Sequence, residues 1–129
     1  MSVTEIVVAT TTFADKTQAA EMAKRVISAR AAACAQIDGP FESHYGWQGK
    51  ICQETEWRLT MKTADSSLDR LASIVLATHP YDLPQWFVVQ AFQTSDPYRD
   101  WVIASVTPGS EFTASQFTGS EATAEESGG

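Results

Sequence analysis

The sequence predicts one α+β domain. Three observations predict it: hydrophobic patterning that switches between period 2 and period 3.6, two amphipathic helical stripes each set between β-rich runs, and a length of 129 residues that suits one core. The runs follow the order β-α-β-β-α-β and end in a short helix. That order is the ferredoxin-like split βαβ arrangement, an antiparallel sheet with helices on one face and, in this chain, a long β-hairpin.

Thr4 to Ala9 is rich in β-formers and makes the first strand, with Thr10-Thr11-Thr12 leading it toward a loop. Asp15, with Gln18 three residues on, is placed to cap a helix whose apolar face (Ala19, Met22, Ala23, Val26, Ile27, Ala31) runs to near Ala32. Cys34 to Ile37 reads as a short strand, Asp38-Gly39-Pro40 as a bend that breaks the ladder, and Phe41 to Trp47 as a resumed strand. Gln48-Gly49-Lys50 turns the chain into Ile51 to Lys62, where Trp57, Leu59 and Met61 alternate with charged residues.

Asp65 or Ser66 is expected to cap a second helix, with Leu68, Leu71, Ala72, Val75 and Leu76 on one stripe and His79-Pro80 as its stop. Trp86 to Phe92 is almost wholly apolar, as a strand covered on both faces would be. Asp96 and Pro97 are read as N-cap and first residue of a last helix, Tyr98 to Val106. Residues 1–107 form the domain. In 108–129 Ser, Thr, Gly, Ala and Glu dominate, and Phe112 and Phe117 cannot build a core, so a disordered acidic tail is expected there.

Of the net charge of −7, four negative charges fall in that tail, leaving −3 for the domain. Such a domain lacks the basic footprint that nucleic-acid backbones require, whereas cationic ligands are electrostatically easier. The first residues carry no basic segment, and the apolar run Ile6 to Ala9 is too short for a signal peptide or a membrane span, so a cytoplasmic protein without membrane insertion is expected. Cys34 and Cys52 are read as thiols, since a reducing compartment disfavours a disulfide.

Four segments in fixed order carry a family resemblance: Ala32-Ala33-Cys34, Tyr45-Gly46-Trp47-Gln48-Gly49-Lys50, Glu54-Thr55-Glu56 through Lys62-Thr63, and His79-Pro80-Tyr81-Asp82-Leu83-Pro84. With Tyr98 and Trp101 they make residues 3–106 resemble the CutA family of divalent-cation tolerance proteins. The resemblance implies a homotrimer in which the hairpins reach across to neighbouring subunits and clefts form between them. It also implies binding of copper or another divalent metal ion. A likeness to PII signalling proteins supplies the alternative: a signalling or scaffold module that holds a small molecule or partner protein at those clefts. One departure is Gln85, where the family pattern has Glu and so a carboxylate.

Cys34, His79 and Glu56 are the candidate metal ligands, a soft thiolate, an imidazole at a helix C-terminus and a carboxylate. Each has a plainer reading as well: buried packing for Cys34, turn formation for His79, and a solvated charged face for Glu56. In the trimer that the resemblance implies, a neighbour covers the charged face of the hairpin return, and Tyr45, Trp47, Lys50, Lys62 and Tyr81 are then the candidate cleft and interface residues, the aromatic hairpin having little core of its own. Cys52 and His44 have no patterned partners. No nucleophile elbow, phosphate-cradling Gly-rich loop or His-Glu-x-x-His helix is present, so no enzymatic activity is expected.

Overall fold

A computed structural model describes residues 5–109. The elements are β1 (Ile6–Phe13), α1 (Lys16–Ser28), β2 (Cys34–Trp47), β3 (Lys50–Ala64), a single 3₁₀ turn at Asp65–Ser67, α2 (Leu68–Thr78), β4 (Phe87–Gln90) and α3 (Asp96–Val106). The four strands form one antiparallel sheet in the order β2-β3-β1-β4, which is the ferredoxin-like topology.

Ala35, Ile37, Trp57, Leu59, Met61, Ala9, Phe13 and Val88 point to one face of the sheet, where they pack with Ala19, Met22 and Val26 of α1 and Leu71 and Val75 of α2. Helix α3 lies against the other face: Tyr98 reaches the Cys34 thiol there, and Val102 and Val106 are buried. Arg30, in the left-handed region at φ 56°, donates from Nε to the Ser105 carbonyl (2.9 Å) and from Nη2 to the Ala104 carbonyl (3.1 Å), closing the last turn of α3.

Several boundaries differ from expectation, each for a local reason. Strand β1 runs on through the three threonines to Phe13 because β3 pairs with it along its full length, and all three are buried. Helix α1 stops at Ser28 rather than near Ala32. Ala31 and Ala32 leave the helix and fill the core, and the Ala31 carbonyl accepts from Thr63 Oγ1 at 2.7 Å.

Asp38-Gly39-Pro40 does not end the strand. β2 continues across it with one extra residue, since Asp38 faces Arg58 and Phe41 faces Glu56. Gly39 sits at φ 146°, where a Cβ would stand 2.9 Å from Trp57 Cε3, so only glycine fits that crossing.

Strand β4 is shorter than Trp86 to Phe92 and is an edge strand covered on one face only: Phe87 and Val89 are about half exposed, because α3 does not extend over them. The N-cap of α3 is Ser95, whose hydroxyl accepts from the Tyr98 amide, with Asp96 as the first helical residue. Apart from Pro108 and Gly109, the expected tail lies outside the described residues.

Candidate functional site

The extra residue in β2 decides what faces Glu56. Before it, even-numbered residues of β2 and β3 share a face; after it, Ser43, Tyr45 and Trp47 stand opposite Glu54, Cys52 and Lys50 on the face that carries Glu56. With the loop after α2, this stretch encloses a cleft of ≈ 810 Å³. Tyr45, Trp47 and Tyr81 give it aromatic walls, Leu83 and Pro84 an apolar rim, and Glu54, Glu56 and Asp82 its charge. None of the described lining residues is Lys or Arg.

Glu56 is the cleft's fixed point. It is 9% exposed, and three hydroxyls from three elements converge on its carboxylate. Thr12 Oγ1 of β1 and Tyr81 Oη of the loop donate to Oε2 at 3.1 and 2.9 Å, and Ser43 Oγ of β2 donates to Oε1 at 2.6 Å. Charge-assisted bonds of this kind are what allow a carboxylate to be buried without a cation. Burial, then the Glu56 bond, pushes the Tyr81 phenol well above its usual range, and partial burial with Glu54 nearby raises that of Tyr45. Both remain protonated donors at neutral pH.

His79 stands behind this layer. Its ring stacks on Phe13 with centroids 4.4 Å apart, and Tyr81 tilts against its other side. Nδ1 accepts from the Tyr81 amide at 3.1 Å, which places the ring proton on Nε2, and Nε2 donates to the Thr12 carbonyl at 2.9 Å beside Thr11 Oγ1 at 3.0 Å. Burial holds its pKa below the ordinary histidine value, partly offset by the Thr12 carbonyl and the Glu56 charge. The imidazole is therefore neutral, and its lone pair is already engaged.

The three candidate metal ligands do not come together in one chain. Glu56 and His79 are neighbours through Tyr81, but Cys34 pairs with Lys62, about 20 Å further along β3 at roughly 3.3 Å per residue. Cys34 is half-buried beside Tyr98. Among the described residues no group of three or more His, Cys, Asp or Glu side chains is placed to hold a metal ion.

Of the candidate cleft residues, Tyr45, Trp47 and Tyr81 line the cleft. Lys50 lies at the hairpin turn across from Trp47, and Lys62 donates to Gln36 Oε1 at 2.7 Å near Cys34, so neither lines it. Gln85 does, bringing an amide where the family pattern has a carboxylate. Sequence reading missed Thr12 and Ser43, for hydroxyl residues in strands carry no local mark of the acid they serve, and it set aside His44, which also lines the cleft.

The sequence and the fold meet a match in known proteins. A family profile described as CutA1 divalent ion tolerance protein matches residues 7–105. The chain belongs to the CutA family. A divalent-cation tolerance protein CutA from Citrobacter koseri is 32% identical over 106 residues, covering 82% of this chain and 92% of its own. The structure of CutA from Synechococcus elongatus PCC7942 superposes with a TM-score of 0.78 at 34% identity, covering 83% of this chain and 95% of that one. A second structure of CutA from Synechococcus elongatus PCC7942, complexed with Bis-Tris, gives 0.74 at 32% identity, with 81% and 97% covered. No helix among the described residues is long and apolar enough to cross a membrane.

Proposed function

We propose that this chain acts in the cytoplasmic response to divalent cations as a homotrimeric binding module, and that the Glu56 cleft is where it takes a small cationic ligand. The observation that carries the reading is a nine-tenths buried carboxylate balanced only by hydroxyls, in a cleft with two more carboxylates and, besides His44, which faces Glu42, no Lys or Arg among its described lining. Hydroxyl dipoles stabilise that charge without cancelling it, so the cleft draws cations.

A relative, the Synechococcus protein, has a structure complexed with Bis-Tris, an amine that carries hydroxyls, and a ligand of that class fits this reading. The trimer is supported by apolar surface that this protomer leaves uncovered. Phe87, Val89 and Phe92 lie on and after the edge strand, Ile51 at the hairpin tip, and Tyr45 and Trp47 on the arm. The test is light scattering and calorimetric titration of the full chain. A trimer whose cation binding is lost in Glu56→Gln supports the reading; a stable lone protomer at micromolar concentration, or binding indifferent to Glu56, refutes it.

A second reading has the favour of the family's description: copper or another divalent ion bound through Cys34, His79 and Glu56. It requires ligands from more than one subunit, and His79 would have to release the Tyr81 amide. Copper titration of Cys34→Ser, His79→Ala and Glu56→Gln separates the two. Loss in all three supports a shared metal site, and loss in Glu56→Gln alone supports the cleft.

A further inference from the structure

Building on the reading of the cleft as a binding site, we infer that its ligand is an organic amine: a protonated nitrogen that still carries hydrogen, on a short carbon stem. A carboxylate offers about four acceptor positions, two per oxygen. Thr12 and Tyr81 fill those of Oε2, and Ser43 takes one of Oε1. One position on Oε1 is left, on a buried side chain that lines the cleft. It suits a single N–H or O–H donor and is too little for a divalent ion, which needs several strong ligands at once.

Charge chooses between the two donors. A neutral hydroxyl would leave Glu56, Glu54 and Asp82 uncompensated in a cleft whose described lining has no Lys or Arg, whereas an ammonium compensates them. The walls suit the rest of such a molecule. Tyr45, Trp47 and Tyr81 bring aromatic rings, which attract cations, to the lining, and Leu83 and Pro84 bring carbon for the stem.

Glu54 adds reach. It lies two residues from Glu56 on the same face of β3, about 7 Å away along the strand, so a second nitrogen on a four-carbon stem meets it. An anion would meet Glu54, Glu56 and Asp82 with no Lys or Arg in the described lining to offset them, and a quaternary ammonium has no hydrogen for Oε1.

The experiment is calorimetric titration of the full chain at pH 7 with 1,4-diaminobutane, its neutral analogue 1,4-butanediol, its fully N-methylated quaternary analogue, and zinc chloride. The diamine is expected to bind at least about ten-fold more tightly than the diol or the quaternary analogue, a ratio worth about 1.4 kcal/mol. Glu56→Gln removes that preference. Glu54→Gln, which alters an exposed side chain and leaves the hydroxyl cage intact, weakens the diamine by about two- to five-fold and the monoamine butylamine by clearly less.

Equal binding of diamine and diol, or a Glu54→Gln variant indistinguishable from wild type, overturns the inference. Silence from every amine with zinc bound in a Glu56-dependent way overturns the ligand class and leaves the cleft reading standing. Silence from these four probes and from butylamine removes both.

Discussion

The two long strands β2 and β3 pass through two different environments, and the contrast separates what pairing does from what burial does. In the body of the domain Leu59 and Met61 are fully buried under α1 and α2. In the arm beyond Phe41 and Glu56 the same ladder continues residue for residue, yet Ile51 is 91% exposed and Tyr45 and Trp47 are nearly half exposed. Backbone pairing holds both regions in register. Only the body has a core of its own, so the arm owes its remaining stabilisation to whatever covers it.

The strongest challenge to this contrast is a pair of truncations. Leu59→Ala is expected to cost about 2–5 kcal/mol in urea denaturation, because it opens a cavity that the helices cannot close. A lone protomer would lose no more than about 0.5 kcal/mol in Ile51→Ala, and the proposed trimer, which would cover Ile51, is expected to raise that cost. A cost for Ile51 close to that for Leu59 would show the arm buried as deeply as the body, and against another copy.

The junction between the regions gives the next effect. Gly39→Ala places a side chain against Trp57 at a backbone angle that L-residues avoid, and is expected to cost about 1–3 kcal/mol, read as a lower urea midpoint at unchanged slope. Wild-type stability in that variant would show that the crossing is soft and the two regions are not rigidly joined.

The smallest effect is one of pH, at the boundary where His79 backs the cleft. Its folded pKa is lowered, so as pH falls through about 6.5 the unfolded chain takes up the proton first and the folded state loses stability. Melting temperature is expected to decline between about pH 7 and pH 5, and the decline to be shallower in His79→Gln, which cannot titrate. Glu56 is the nearest charge and opposes the shift, so an identical slope in both proteins would mean that the Glu56 carboxylate cancels the burial.

The sequence made the body legible and the site only in part. Alternation across Trp57, Leu59 and Met61 and the stripe through Ala19, Met22 and Val26 report burial directly, since periodicity is the trace that one covered face leaves. The helix end at Ser28 escaped because Ala31 continues the stripe in sequence while packing as loop in space. At Asp38-Gly39-Pro40 the bend was legible but its effect was not. A single inserted residue reverses which side chains of β2 face Glu56, and nothing local distinguishes that from a broken strand.

Motif spacing singled out Glu56, Tyr81, Tyr45 and Trp47, which the cleft unites. Thr12 and Ser43 stayed hidden because their role depends on cross-strand register, a property of the pairing and not of either strand. His79 was marked by its position at a helix end as a cation-friendly group, whereas the fold turns it inward onto Phe13 and settles it as a neutral ring.

Because the Glu56 oxygens are shared among donors from β1, β2 and the loop after α2, the carboxylate works as a pivot pin as well as a charge. One side chain thus fastens the arm, the central strand and the loop at a single point, and Glu56→Gln would loosen all three bonds at once.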